Sequence, residues 1–269
     1  MIPPPALNRI YAMFLRYLYL HQRSLPRNLE IIFWPVMDLL VWGFVTLYLQ
    51  KITSSAAGGI VVFLIGAMIF WDILYRSQQT ISIPFMEDQW ARNTLNLLIS
   101  PLRFWEWMTA MICYGIVKIT VIIAVLAALA WQFYHYSIGS LGFSFLPLVA
   151  NLLLFGWALG IFTTGLLLFW GHTAEALIWG IPFLIQPFSA VFYPMSVLPA
   201  WLQPVSRILP STYVFEGMRE VIQNGTLNPS LVWRAFGLNL VYLCLAGFSL
   251  RWMLIKARQA GRLSRLGND

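Results

Sequence analysis

Long apolar runs alternate with short polar segments along most of the chain. An α-helix rises 1.5 Å per residue, so about 20 apolar residues cross the roughly 30 Å hydrocarbon core of a bilayer. The pattern predicts an all-α, polytopic membrane protein that forms a single domain over residues 1–269. Six runs reach the required length, and we expect six transmembrane helices at about 31–50, 60–81, 107–131, 145–170, 174–193 and 231–254.

The N-terminal segment, residues 1–30, follows a different pattern. Apolar residues recur at helical spacing from Ala6 onward, while Arg9, Arg16 and Arg23 lie seven positions apart. Seven residues are close to two helical turns, so these arginines share one face and drift by only about 20° per heptad. We expect an amphipathic helix in the membrane interface, with its guanidinium groups toward lipid phosphates and its end at Pro26. The alternative is a solvated basic tail.

Segment 194–225 is apolar but cannot form one spanning helix, because interior prolines remove backbone hydrogen bonds and clash with the preceding turn. We therefore expect a re-entrant segment that enters the bilayer and turns back. Its second half predicts an amphipathic helix that stops at Asn224-Gly225. The prolines are Pro194, Pro199, Pro204 and Pro210. The apolar face of the amphipathic helix comprises Val214, Phe215, Met218, Val221 and Ile222.

Charge distribution orients the predicted spans. The chain is 59% hydrophobic and 10% charged, with a net charge of +7, and its basic residues flank the apolar runs. They therefore indicate topology and lipid-headgroup contacts rather than a nucleic-acid partner. One side of the membrane carries Arg9, Arg16, Arg23, Arg27, Arg76, Arg92, Arg103, Arg251, Lys256, Arg258, Arg262 and Arg265. The other side carries Lys51, Arg207, Arg219 and Arg234. The positive-inside rule places both termini and the 76–106 connection in the cytoplasm and segment 194–225 outside.

Three charged residues and two tryptophans lie inside the predicted spans. Asp38, Asp72 and Lys118 fall at similar depth, where an isolated charge is costly. We expect Lys118 to pair with Asp38 or Asp72, either as a structural clamp or as part of coupling. Trp42 and Trp157 lie near mid-span and could fill the core or stack on a substrate in a pathway.

Gly156 and Gly160 form a Gly-x-x-x-Gly face in the predicted fourth span, continued by Thr163 and Thr164. Small residues at this spacing let two helices approach closely. The sequence leaves open whether the contact lies within one chain or between two copies.

Several chemical signatures are missing from the sequence. No Gly-x-x-x-x-Gly-Lys-Ser/Thr loop occurs, so the chain has no P-loop for a nucleotide phosphate. His21, His135 and His172 are isolated, without metal-ligand spacing. No serine follows the nucleophile-elbow pattern. We therefore expect no catalytic, cofactor or metal site, and a chain that is not itself an enzyme.

A resemblance to a known family rests mainly on segment 198–219. The stretches Leu-Pro-Ala-Trp-Leu-Gln from Leu198, Leu-Pro-Ser-Thr-Tyr from Leu209 and Glu-Gly-Met-Arg from Glu216 are its most specific part. With six spans, a basic N-terminal helix and a connection that ends in Ser100-Pro101, the chain resembles the permease subunit of ABC type-2 exporters. Where family members often carry Gly-Thr-Leu-Glu, this chain has Asn93-Thr-Leu-Asn.

The resemblance implies that two copies, expected to form a homodimer, each dock a separate ATPase that binds ATP and Mg²⁺. Docking would use a short cytoplasmic helix in region 82–106. Charges of both signs there could steer the ATPase and apolar side chains could anchor it, whereas the alternative is a solvated loop. The candidate coupling residues are Glu87, Asp88, Trp90, Arg92 and Leu95.

The resemblance also implies that segment 194–225 closes the outer mouth of a pathway, and a fixed structural plug is the alternative. The candidate gate residues are Pro199, Trp201, Pro210, Tyr213, Glu216 and Arg219. The implied function is ATP-driven export across a bacterial-type inner membrane. The abundant aromatic residues favour an amphiphilic, hydrophobic or lipid-linked substrate, with lipid-linked polysaccharide as the runner-up. An ion-coupled carrier is the alternative of another class, although the chain lacks a clear inverted repeat.

Overall fold

The computed structural model describes residues 5–52 and 58–260. Helices make up most of this part of the chain, and no strand occurs in it, as predicted. Arg262 and Arg265 of the topology count lie outside the described residues. The helices are α1 (Ala6–Gln22), α2 (Leu25–Ile52), α3 (Gly58–Trp90), α4 (Thr94–Ile99), α5 (Phe104–Tyr134), α6 (Phe145–Trp170), α7 (Ala176–Ile185), α8 (Gln203–Arg207), α9 (Pro210–Asn224) and α10 (Pro229–Gln259).

Four helical stretches of the described chain are long and apolar enough to cross a membrane. They are Ile32–Ile52 in α2, Phe104–Tyr134, Ile138–Ala174 around α6, and Pro229–Gln259. Their lengths of 21 to 37 residues exceed what about 30 Å of hydrocarbon requires. The protein is therefore a multi-pass membrane protein, and the count of six spans stays a prediction.

Helix α1 confirms the predicted amphipathic helix but not its end. It stops at Gln22 without any contribution from Pro26, which lies instead in the first turn of α2. Proline is well tolerated there because the first N–H groups of a helix have no intrahelical partner. Residues 25–30 thus belong to the first long helix rather than to the N-terminal element.

Helix α3 is longer than the predicted second span and continues to Trp90. Its second half is polar, yet Ser77, Gln78 and Ser82 are fully buried there. The Gln78 amide donates to Ser82 Oγ and to Thr163 Oγ1 of α6, both at 3.2 Å. Packing against α5 and α6 therefore buries polar residues on both sides of Ile81, where the predicted second span ended.

The predicted fifth span, 174–193, is wrong as a continuous membrane-crossing helix. Helix α7 has ten residues and a single 3-10 turn, Gln186–Phe188, follows it. Ten residues rise about 15 Å, roughly half of the hydrocarbon core. Pro187 and the positive φ of Ala190 (54°) prevent the helix from continuing.

The glycine face of α6 packs against α3 of the same chain, which answers the question that the sequence left open. A Cβ added to Gly156 would lie 1.6 Å from Ser77 Oγ and 2.7 Å from Leu74 O. One added to Gly160 would lie 2.7 Å from Gln78 O. These two positions therefore admit only glycine at the observed separation of α3 and α6.

Two hydrophobic clusters define the two ends of the bundle. One cluster, at the end we call the α9 end, includes Phe70, Phe155 and Phe215. The other, at the end we call the α1 end, includes Tyr17 and Met253. Helices α3, α5, α6 and α10 contribute to both clusters, so these four helices form the shared core of the bundle.

Helix α9 confirms the predicted amphipathic helix in detail. Pro210 occupies its first turn, and the helix ends at Asn224 with Gly225 in the left-handed conformation (φ 72°). The Gly225 N–H donates to Val221 O at 2.9 Å. Val214, Phe215, Met218 and Val221 are buried, as predicted, and Ile222 packs against the same cluster.

Candidate functional site

Asp88, at the end of α3, holds α1 and the approach to α4 together. Its carboxylate, 3% exposed as a residue, accepts hydrogen bonds from Arg16 Nη1 at 3.2 Å, from Asn93 Nδ2 at 3.1 Å and from the Tyr17 hydroxyl. Trp107 Nε1 donates to the same hydroxyl at 3.2 Å. Burial and the neighbouring carboxylate raise the pKa of Tyr17, so its hydroxyl stays protonated and donates. Asp88 is therefore not the exposed docking charge that the sequence predicted.

A second ion pair fixes α1 to the first turn of α5. Arg9 donates to the fully buried Glu106 through Nε at 2.9 Å and Nη2 at 2.5 Å. Glu106 Oε2 also accepts the Arg103 N–H at 2.9 Å, which caps α5. The prediction that the α1 arginines point toward phosphates is therefore wrong for Arg9 and Arg16, because carboxylates of the same chain bind them. Arg23 is exposed.

The corner between α3 and α5 presents an exposed surface, which we call the coupling surface: Trp90, Arg92 and Ile99. Trp90 is 54% exposed and Ile99 81% exposed. Arg92 is exposed and has a positive φ of 54°, which reverses the chain before α4. Leu95 lies in α4. Apolar side chains and a cation are thus exposed between the end of α3 and the start of α5.

Glu87 differs from its neighbours on the coupling surface because it is half-buried. It lines a cavity of about 20 Å³ that Lys118, His21 and Tyr114 also line. Glu87 therefore lines the groove between α1, α3 and α5 and is less exposed than a docking charge at an open interface, and its role in coupling stays a prediction.

Trp90 also connects the coupling surface to the turn before α7. Its indole N–H donates to Glu175 Oε1 at 2.6 Å, and His172 Nδ1 lies 2.5 Å from the same oxygen. Glu175 directly precedes α7. Two connections at the α1 end, 85 positions apart in sequence, therefore share one carboxylate.

The three predicted intramembrane charges do not form a simple pair. Asp72 Oδ1 accepts from Arg76 Nε at 3.2 Å, one helical turn along α3, and both side chains are buried. Lys118 lies close enough to act electrostatically on Asp72, so its predicted pairing stays a prediction. Asp38 is exposed on α2. The sequence reasoning missed Arg76 because it assigned this residue to the cytoplasmic connection.

Glu216 and Arg219 of α9 hold the loop between α7 and α8 at two points. Glu216 Oε1 accepts the Met195 N–H at 2.7 Å, and its Oε2 lies 2.6 Å from Arg219 Nη1. Arg219 Nη2 donates to Ala190 O at 3.2 Å, and its guanidinium lies over the Phe63 ring. These two charges therefore fix the path of the loop.

The other predicted gate residues differ in burial. Pro199 and Trp201 are exposed, Trp201 to 75%. Pro210 is buried at the start of α9, and the Tyr213 hydroxyl donates to Arg207 O at 2.8 Å. The predicted gate set therefore combines exposed residues before α8 with residues that are packed at the start of α9.

The two mid-span tryptophans have different surroundings. Trp42 stacks on Phe192, with ring centroids 4.4 Å apart and an interplanar angle of 17°. Trp157 packs against the cluster at the α1 end, and its buried indole nitrogen has no hydrogen-bond partner among the described residues. Trp42 thus connects α2 to the loop after α7.

The described residues contain no group of histidine, cysteine and acidic side chains that could hold a metal ion. A family profile described as ABC-2 family transporter protein matches residues 40–256. This match covers all of the helices from α3 to α9 and parts of α2 and α10. No curated protein sequence matches the chain significantly.

Proposed function

The chain belongs to the ABC-2 family of transporter proteins, and from this premise we propose that it is the membrane subunit of an ATP-driven exporter. The observation that carries the proposal is the coupling surface at the α1 end of the bundle. The chain has no nucleotide-binding loop of its own, and we propose that the energy source is a separate ATPase that contacts this subunit. ATP and Mg²⁺ are then bound by that ATPase.

We place the ATPase on the coupling surface because of its chemistry. Trp90 and Ile99 offer exposed apolar groups suited to a pocket on a partner, and Arg92 offers a cation for steering. Asp88, which Arg16 and Tyr17 bind, supports this surface from within. Motion of the ATPase would reach α7 through the contact between Trp90 and Glu175.

The assembly that we propose contains two copies of this chain and two ATPase subunits. Both termini and the coupling surface lie in the cytoplasm, as the basic residues indicate, and the host membrane is a bacterial-type inner membrane. Segment 194–225 then lies toward the outer face. There Glu216 and Arg219 would set the closed position of the outer gate, with Trp201 exposed toward the pathway.

We propose an amphiphilic substrate, taken from the cytoplasm or the inner leaflet. Few charges and many aromatic side chains are available to a substrate in the described spans, which favours apolar contacts with it. Lipid-linked polysaccharide is the second candidate, since the same architecture could carry its lipid anchor.

Inside-out membrane vesicles that contain the chain and its native ATPase test this function. We expect uptake of an amphiphilic fluorescent dye that requires ATP, persists when ionophores remove ion gradients, and falls in an Arg92→Glu, Ile99→Glu variant. The control is Phe143→Glu, which adds one carboxylate to an exposed apolar position in the turn before α6, outside segment 194–225. Uptake that stops when ionophores are added and does not require ATP would favour the ion-coupled carrier.

A further inference from the structure

Asp38 is an exposed carboxylate on a membrane-spanning helix. It belongs to the apolar stretch Ile32–Ile52, and its side chain makes no hydrogen bond or ion pair with the residues that the structure describes. At 1.5 Å per residue, Asp38 lies about 9 Å from the Ile32 end and about 21 Å from the Ile52 end of the stretch. A carboxylate at this depth is strongly disfavoured against lipid chains. The face of α2 that carries Asp38 therefore points toward something other than lipid.

The charges near Asp38 leave its carboxylate available. Arg76 is close enough to act electrostatically on Asp38, but its Nε donates to Asp72 Oδ1 in a buried pair. That pair is neutral as a unit. The exposed carboxylate of Asp38 consequently gives this part of the α2 surface a negative potential.

The side chains on the same face of α2 are apolar and aromatic. Trp34 precedes Asp38 by four residues, and Val41, Val45 and Tyr48 follow it at successive spacings of three, four and three; all four are at least 41% exposed. Residues at these spacings lie on one face of a helix. Aromatic rings attract cations through their π faces, and an aliphatic surface accepts hydrocarbon groups. The face combines one negative charge with the groups that a hydrophobic cation would contact.

We propose that the Asp38 face of α2 lines the translocation pathway and that Asp38 selects amphiphilic cations, meaning hydrophobic molecules with one positive charge. This inference rests on the proposed function and narrows its substrate class. Asp38 forms the ion pair with the cation, Trp34 provides an aromatic contact one helical turn away, and Val41 and Val45 provide an aliphatic surface on the other side. An anion of the same shape is repelled at this position.

Equilibrium dialysis of the purified full chain in phosphatidylcholine nanodiscs tests the proposal. Tetraphenylphosphonium and tetraphenylborate have the same shape and opposite charge, and empty nanodiscs correct for partition into lipid. We expect Asp38→Asn to bind tetraphenylphosphonium at least about tenfold more weakly, as for other truncated ion pairs. Its binding of tetraphenylborate should not weaken, and Asp38→Glu should retain cation binding.

Several results would overturn the proposal. One is an Asp38→Asn variant, helical and monodisperse, that binds the cation as tightly as the native chain. Another is an equal loss of binding for both probes, which would indicate a change in shape rather than in charge. A third is loss of binding together with dissociation of a dimer, which would assign Asp38 to an interface between copies. The assay uses neither ATP nor an ATPase, so its failure leaves the permease role untouched.

Discussion

Asp88 and Arg16, 72 positions apart, form an ion pair that attaches α1 to the end of α3. The Asp88 side chain is 4% exposed and that of Arg16 is 30% exposed. A buried carboxylate that loses its cation keeps an uncompensated charge, which is more costly than the loss of an exposed pair. The position of α1 therefore depends on this contact.

Replacement of Arg16 should loosen α1. We expect Arg16→Ala to lower the free energy of unfolding by about 1.5–3 kcal/mol, the usual value for hydrogen bonds to a charged group. Hydrogen exchange over residues 6–22 should be faster than in the native chain. Arg23→Ala is the matched control, because Arg23 directly follows the same helix and is exposed. Equal exchange in the Arg16 and Arg23 variants would refute the role of the pair.

Helices α3 and α6 approach each other so closely at Gly156 that even an added methyl group should lower the stability of the protein. Gly156→Ala should destabilise the detergent-solubilised protein by about 1–3 kcal/mol, the range for overpacked cores. The reason is that a Cβ at Gly156 would meet the backbone oxygen of Leu74 at 2.7 Å, which no side-chain rotation relieves. Thermal unfolding measures the effect.

Gly237 in α10 is the control for the Gly156 substitution. A Cβ added there would meet no atom within 4 Å, so Gly237→Ala should change stability by less than about 0.5 kcal/mol. If both alanine variants unfold at the native temperature, the packing of α6 on α3 is looser than the structure indicates.

Glu216 should control the order of the loop that precedes α8. Glu216→Ala removes the acceptor of the Met195 N–H and the counter-charge of Arg219, whose side chain is only 11% exposed. We expect faster hydrogen exchange at residues 190–197 and a lower unfolding temperature. Glu220→Ala is the matched control on the same helix. Unchanged exchange in the Glu216 variant would show that other contacts hold the loop.

Local periodicity predicted the helices whose buried face is marked by apolar residues at helical spacing within the helix itself. The apolar face of α9 and its stop at Gly225 follow from helical spacing and from the freedom of glycine at positive φ. Both were therefore predictable from about fifteen consecutive residues. The amphipathic character of α1 was predictable for the same reason.

Contacts between distant residues were not predictable in this way. Hydropathy placed Arg76 and Asp88 in a polar connection, yet α5, α6 and α1 bury this part of α3. The partners that α1 provides to Asp88 and Glu106 lie 71 to 97 positions away, so no short window of sequence contains both members of these pairs. The regular spacing of the arginines in and after α1 is equally consistent with arginines that bind lipid phosphates and with arginines that bind carboxylates of the same chain.

Purification of the tagged chain from its native membrane tests the central claim most directly. We predict that a gentle detergent recovers an ABC ATPase with the native chain and with Phe143→Glu. A folded Arg92→Glu, Ile99→Glu variant should recover none, because it adds two carboxylates to the coupling surface. Recovery of the ATPase with all three chains would contradict docking at this surface, and recovery with none would contradict a permease that depends on a separate ATPase.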